Sequence, residues 1–132
     1  MIKAVIFDFF GVLEQNQQPN REVLDYVKNQ LKPKYKIGIV SNVLAGFIYL
    51  ILSPDDLKLF DDVVLSYEAG VAKPEPRIYE LAMQNLGVKP EEAVFIDDQE
   101  HYVEAAKTLG MKGIYFQDFK QMKSDLEKLL RS

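Results

Sequence analysis

The sequence predicts an α/β fold: one doubly wound domain over residues 1–132, built on a five-stranded parallel sheet with helices on both faces. Three observations carry this prediction. Five short apolar runs alternate with five stretches of helical spacing, which is the rhythm of parallel strands joined by crossover helices. The runs are continuously apolar, as in strands buried on both faces. A chain of 132 residues fits one domain of ordinary size and leaves no room for a second domain or a lid.

Lys3 to Phe7 is the first apolar run. Gly11 marks a turn, and Glu14 to Pro19 is a polar loop. Asn20 stands as an N-cap before Val23, Leu24, Val27 and Leu31, which fall at helical spacing until Pro33. Lys36 to Val40 is the second strand, closed by Ser41-Asn42, and Val43 to Leu52 reads as a helix that Gly46 weakens. Ser53 followed by Pro54 has the form of a helix start. Asp62 to Leu65 is the third strand, and Lys73-Pro74-Glu75-Pro76 is a stiff loop. Ile78, Leu81, Ala82 and Leu86 form a helix stripe that stops at Gly87. Ala93 to Ile96 is the fourth strand, ending in Asp97-Asp98, and Val103, Ala106 and Leu109 lead to a second glycine stop at Gly110. Gly113 to Phe116 is the fifth strand; Asp118 and Gln121 have capping-box spacing before an apolar stripe at Phe119, Met122, Leu126, Leu129 and Leu130. Strand order cannot be read from periodicity.

Composition removes several classes of function. There is no cysteine, which excludes disulfides, thiol nucleophiles and thiolate metal centres. Sixteen basic residues against 20 acidic ones give a net charge of −4, so a nucleic-acid or anionic-membrane partner, which needs a basic face, is not expected. The N-terminal apolar run is too short for a leader and ends on Asp8. The most apolar stretch, Val43 to Leu52, falls well short of the ~20 residues of a bilayer helix. A cytoplasmic location is the expectation.

Ligands of a doubly wound sheet bind beyond the carboxyl ends of its strands. The polar residues found there are Asp8 after the first strand, Ser41-Asn42 after the second and Asp97-Asp98 after the fourth, with Lys73 in the loop beyond the third. Taken singly, each has a bland reading: a turn residue, a helix cap, a solvated lysine. Taken in order, they place three carboxylates, a hydroxyl and an ammonium on one rim. If the first and fourth strands are neighbours, the carboxylates cannot all stay ionised unaided. A hard divalent cation resolves this, and an open all-oxygen site favours Mg²⁺. The resulting neutral site can accept a phosphate, with the Ser41 hydroxyl and amide N–H groups at a helix start behind it holding the phosphate oxygens.

That ordered set resembles the haloacid dehalogenase (HAD) superfamily of phosphatases and related hydrolases. Val5-Ile6-Phe7-Asp8-Phe9-Phe10-Gly11-Val12 is similar to its first motif, Ile39-Val40-Ser41-Asn42 to its second, Gly70-Val71-Ala72-Lys73-Pro74-Glu75-Pro76 to its third, and Val94-Phe95-Ile96-Asp97-Asp98 with Val103-Glu104-Ala105-Ala106 to its fourth. The resemblance implies a Rossmann-like core with strand order 3-2-1-4-5. It implies that Asp8 attacks phosphorus and forms an aspartyl-phosphate, and that Mg²⁺ is held by Asp8, the backbone carbonyl of Phe10 and Asp98, with Asp97 direct or through water. Ser41, Asn42 and Lys73 are then the phosphate-binding residues, and Lys73 also offsets the charge around Asp8.

The chain departs from the family pattern in three places. Phe10 stands where a second Asp usually protonates the leaving group, so an alkyl phosphate is expected to turn over slowly. Gln99 and Tyr102 replace the usual Ser and Asn of the fourth motif. The short interval from Asp8 to Ser41 holds one loop and one helix, so the site is expected to lack a cap domain. An open site suits a phosphorylated substrate large enough to cover it, such as a macromolecule, or poor selectivity, or a lid supplied by a second copy in a homodimer. The apolar segment Val43 to Leu52 is a candidate dimer patch. Two other readings compete: a catalytically weak binding or regulatory module, and a metal-independent dehalogenase, which tolerates an aromatic residue at position 10. His101 and Glu14 are candidate stand-ins for the missing acid, against the plainer readings of a solvent-facing helix residue and loop filler.

Overall fold

A computed structural model describes residues 1–44 and 46–131. Its elements in chain order are β1 (Ala4–Phe7), β2 (Glu14–Gln15), β3 (Gln18–Pro19), α1 (Arg21–Tyr26) running into a π-helical turn (Val27–Leu31), β4 (Lys36–Ser41), α2 (Ile48–Ile51), α3 (Pro54–Leu57), β5 (Asp62–Leu65), α4 (Ser66–Ala69), α5 (Pro76–Leu86), β6 (Ala93–Asp97), α6 (Glu100–Thr108), β7 (Lys112–Tyr115) and α7 (Phe119–Leu130). The five long strands form one sheet in the order β5-β4-β1-β6-β7, with every neighbouring pair parallel. Counting those strands alone, this is the expected 3-2-1-4-5 order.

β1 lies at the centre and is buried along its whole length. Because side chains alternate across a strand, it feeds two cores. Val5 and Phe7 join Ile37, Ile39, Val94 and Ile96 on the face covered by α1, the π turn and α7. Ala4 and Ile6 join Val40 and Phe95 on the face covered by α5 and α6. The apolar stripe of α5 is the expected one, with Tyr79 and Met83 added and Leu81 only partly buried. The final helix opens with the predicted capping box: Gln121 N–H donates to Asp118 Oδ1 at 2.8 Å. At the start of α3, Ser53 Oγ accepts from Asp56 N–H at 3.1 Å.

Three local expectations are corrected. Glu14 to Pro19 is not plain loop but a two-stranded antiparallel hairpin, turning at Asn16 and Gln17, both with positive φ. Asn20 occupies the N-cap position of α1, yet its side chain donates to the Val12 carbonyl at 3.0 Å and does not cap. Val43 to Leu52 is not one helix; only Ile48–Ile51 is helical, and Ala45 lies outside the described residues. The reason lies at Val43, whose N–H and C=O both bond the Ser66 hydroxyl, at 2.8 and 2.9 Å. That tertiary anchor holds the chain leaving β4 as loop, and the helical turn begins later, at Ile48. No helix among the described residues is long and apolar enough to cross a membrane.

Candidate active site

Register brings the acids together. Phe7 pairs with Ile96, so the next residues, Asp8 and Asp97, leave the sheet side by side. The Asp8 N–H donates to the Ile96 carbonyl at 2.8 Å, which fixes the chain as it exits. Oxygens of Asp8, Asp97 and Asp98 lie within 4.8 Å of one another. Lys73 reaches in from the loop before α5. Its Nζ donates to Asp8 Oδ1 at 2.7 Å and to Asp97 Oδ2 at 2.8 Å, and the residue is 4 % exposed. The rings of Phe95 and Tyr102 stand 5.5 and 5.0 Å from the ammonium, close enough for cation–π attraction.

The lysine is fixed at its main chain too. Lys73 N–H donates to Asn42 Oδ1 at 2.8 Å, and Asn42 Nδ2 donates to the Lys73 carbonyl at 3.0 Å. The Asn42 side chain is thus committed to the Lys73 peptide and not turned to a ligand. Its Nδ2 also approaches the Tyr102 hydroxyl at 3.3 Å.

Asp97 is fully buried, with one oxygen accepting from Lys73 and the other from the Gln99 N–H at 3.0 Å. Asp98 is half-buried beside Gly11. Gly11 has φ +86, and a Cβ there would run into Asp98 Oδ2. Only glycine satisfies both the backbone and the close approach. Burial pushes the Asp8 carboxyl up to about 7; Lys73 pulls it down and Asp97 and Asp98 push it up again. Burial and then Asp97 also raise the Asp98 carboxyl.

Ser41 ends β4 beside these groups. Its Oγ is fully buried and has no hydrogen-bond partner among the described residues. A buried, unmet hydroxyl costs about 1–3 kcal/mol, and Ser41 itself does not line the cavity over the acids. The helix start expected behind it is absent: α2 begins only at Ile48, so any amide cradle at this strand end is loop.

A cavity of about 480 Å³ opens over the cluster, walled by Asp8, Phe10, Asn42, Lys73, Asp98 and Tyr102. Tyr102 was visible in the sequence only as a departure from the family pattern; the structure makes it both a wall and a neighbour of Lys73. Glu14 and His101 do not line the cavity. Glu14 is buried, its carboxylate accepting from the N–H groups of Gly11 and Gln17 at 3.3 and 2.8 Å, so it closes the hairpin. His101 is exposed, its ring 4.1 Å from that of Tyr102. Phe10 lies against buried Phe9, edge to face at 4.9 Å.

The donor set suits a hard divalent cation. Three clustered carboxylates against one ammonium leave two formal negative charges, and all the ligand atoms on offer are oxygen.

The haloacid dehalogenase-like hydrolase family matches residues 12–116. Among curated proteins, the glyceraldehyde 3-phosphate phosphatase of Pyrococcus furiosus is 39 % identical over 114 residues, 81 % of this chain and 47 % of that protein. The chain spans about half or less of the length of such curated relatives. Among solved structures, a Corynebacterium glutamicum protein superposes with a TM-score of 0.85 at 26 % identity, covering 98 % of this chain and 95 % of that one. A HAD-family enzyme of Bacteroides thetaiotaomicron, solved with magnesium and inorganic phosphate, shares the fold with a TM-score of 0.75 at 18 % identity, covering 92 % of this chain and 99 % of that one. With the sheet order, the exits of β1 and β6 and this match in agreement, the chain belongs to the haloacid dehalogenase-like hydrolase family.

Proposed function

We propose that the protein is a magnesium-dependent phosphatase acting on phosphate monoesters through an aspartyl-phosphate on Asp8. The observation that carries this is the Asp8 carboxylate facing an open cavity, bonded to a buried Lys73, with two further aspartates within 4.8 Å. The phosphatase relatives support the same reading, as does magnesium in the Bacteroides enzyme.

Asp8, the Phe10 carbonyl and Asp98, with Asp97 direct or through water, would hold Mg²⁺, which would supply charge to offset the phosphoryl oxygens. Asp8 is the nucleophile: its free oxygen bonds to phosphorus as the ester oxygen leaves. Lys73 neutralises part of the charge that gathers there, from a position fixed before substrate arrives. Ser41 donates its unmet hydroxyl to a phosphoryl oxygen. Asn42 acts through Lys73, by holding that residue's peptide. Water then hydrolyses the aspartyl-phosphate and returns Asp8 to its starting state.

Phe10 offers no proton, so the leaving group departs as its own anion. Losing general acid help costs about 10²–10⁴-fold where a proton is needed. This ranks alkyl phosphates as slow substrates. The cavity is open, and in the described chain between β1 and β4 only the β2–β3 hairpin, α1 and the π turn intervene. A macromolecular substrate that covers the site, or a second copy of the chain seated on the exposed Leu44, Phe47 and Leu50, would close it. We place the whole of residues 1–132 in one catalytic domain and assign it to the cytoplasm.

The clustered acids favour this reading over a metal-independent dehalogenase. Hydrolysis of p-nitrophenyl phosphate tests it against a pure binding module. Activity should require millimolar Mg²⁺, vanish with EDTA, and fall at least about 10³-fold in Asp8→Asn. A rate untouched by either change rejects it.

A further inference from the structure

We infer that the leaving-group side of this site is built for an aromatic ring, so that the substrate is an aryl phosphate monoester. The inference rests on the phosphatase reading above and narrows it. The Phe10 ring that walls the reaction cavity also walls a second cavity, of about 450 Å³. The other walls of that cavity are Phe47, Leu50 and Ile51, with Glu14 and Gln17 at its edge. For comparison, about 150 Å³ of apolar space holds benzene, so one or two fused rings fit.

Two independent features select the same class of leaving group. The first is shape and polarity. Phe10, packed edge to face on Phe9, is shared by both cavities, so a leaving group displaced toward Phe10 would enter the second one. There it would meet mainly aromatic and aliphatic side chains, which suit stacking on a ring better than binding sugar hydroxyls. Glu14, whose carboxylate is fixed by Gly11 and Gln17, disfavours a second anionic group on the substrate. The second feature is proton demand. In the cavity beside Phe10, Glu14 is spent on main-chain bonds and the side chain at position 10 is a hydrocarbon; the Tyr102 hydroxyl lines the reaction cavity only, beside Asn42 and the Lys73 peptide. A phenolate, whose conjugate acid has a pKa of about 10, leaves without the proton that an alkoxide requires.

The step balances without any further reactant. An Asp8 oxygen bonds to phosphorus as the bond from phosphorus to the aryl oxygen breaks. The electron pair of that bond stays on the phenolic oxygen, which later takes a proton from water. Water then attacks the phosphorus of the aspartyl-phosphate, gives up its protons to solvent and phosphate, and the released pair restores the Asp8 carboxylate. The products are a phenol and inorganic phosphate.

The test compares kcat/KM for acetyl phosphate, phenyl phosphate and 2-naphthyl phosphate in the wild-type chain with Mg²⁺, and in Leu50→Asp and Phe47→Ala. Leu50 is 82 % and Phe47 47 % exposed, so neither change touches the core. The second ring of the naphthyl ester should raise kcat/KM about tenfold over phenyl, the worth of the extra apolar area buried. Both variants should lower the naphthyl-to-acetyl ratio by a similar factor. Equal phenyl and naphthyl values, or a naphthyl-to-acetyl ratio that neither variant moves, overturn the inference while leaving the phosphatase reading intact. Loss of Asp8-dependent turnover even of acetyl phosphate, which needs neither ring nor proton, overturns both. A phosphotyrosyl peptide turned over at least as well as 2-naphthyl phosphate assigns the ring to a protein side chain. Weaker turnover assigns it to a small aryl ester. Either result supports the aryl class.

Discussion

Replacing Lys73 with Met should destabilise the protein by more than any exposed ion-pair change. The wild-type ammonium sits between Asp8 Oδ1 and Asp97 Oδ2, at 2.7 and 2.8 Å. Its side chain is 1 % exposed, and those of its partners are 8 % and 0 %, so solvent screens little of the attraction. Methionine nearly matches the lysine in volume and leaves the packing against Phe95 and Tyr102 in place. What it removes is the only cation among three clustered carboxylates. Breaking a buried pair by deleting one partner costs about 3–5 kcal/mol. The lower end is expected here, because Asp8, already pushed up to about 7 by burial, escapes part of the cost by binding a proton.

The assay is urea unfolding in metal-free buffer at pH 8. With a slope of ~1.5 kcal/mol per M, a loss of about 3 kcal/mol lowers the midpoint by roughly 2 M. At pH 5 the deficit should shrink, since Asp8, pushed up by burial, is then protonated and no longer repels its neighbours. The double variant Lys73→Met/Asp97→Asn should be more stable than the sum of its single changes predicts, because the second change removes an acid that the first left unpaired. A Lys73→Met midpoint at pH 8 within experimental error of wild type would refute the buried-bridge reasoning.

Phe10→Asp should raise kcat for an alkyl phosphate such as glycerol phosphate by about 10²-fold while changing an aryl ester far less; equal gains for both would show that position 10 does not govern protonation of the leaving group. Ser41→Ala removes a buried hydroxyl without a protein partner, so the ligand-free Tm should hold or rise, while the inhibition constant for inorganic phosphate rises about tenfold. Asp56 is pushed up by burial but held below the usual carboxylate range by two hydrogen bonds and the charge of Arg21. A depressed folded pKa contributes stability that is complete above about pH 4 and is lost as pH falls through the folded value. Arg21 is half exposed, so the pair contributes under about 1 kcal/mol; Tm measured from pH 5 down to pH 2.5 should fall less steeply in Arg21→Ala than in wild type.

Where the sequence states its own geometry, the structure follows it. Gly87 at the left-handed end of α5 and the Asp118-Gln121 box are local signals whose partners lie within one helical turn, whereas Pro76, read as loop, is the first residue of α5. The strand ends are legible for a related reason: the continuous apolar runs stop where Asp8, Ser41 and Asp97 appear, although all three residues stay buried. The order of the strands was not legible from periodicity, because it depends on which crossover lies on which face; only the resemblance supplied it. The hairpin at Glu14 to Pro19 was missed because its turn residues, Asn16 and Gln17, include no glycine, although turns of this kind favour one. The helix expected from Val43 failed because Ser66, distant in sequence, occupies both main-chain groups of Val43. Asn42 shows the same limit within the site. Its place in the motif suggested contact with phosphate, but its amide turns to the Lys73 peptide. No spacing rule reveals a bond between residues that meet only after folding.

The site is expensive for the fold, and the way that cost is met bears on function. Two desolvated acids with raised pKa values and an unmet serine hydroxyl all work against folding. The opposing terms are the two apolar cores on either side of β1 and the fixing of Lys73 at both ends, by carboxylates at Nζ and by Asn42 at its peptide. On the proposed reading, substrate would meet a cation that is already in place, and little ordering of Lys73 would remain to be done when charge develops on the phosphoryl oxygens. The same rigidity constrains the leaving-group side. With Phe10 held by Phe9 and Glu14 spent on the hairpin, no acid can move in from the chain around the nucleophile. On the proposed phosphatase reading, selectivity would then come from the substrate's own leaving group, which would have to be stable as an anion and apolar enough to rest against Phe10, Phe47 and Leu50.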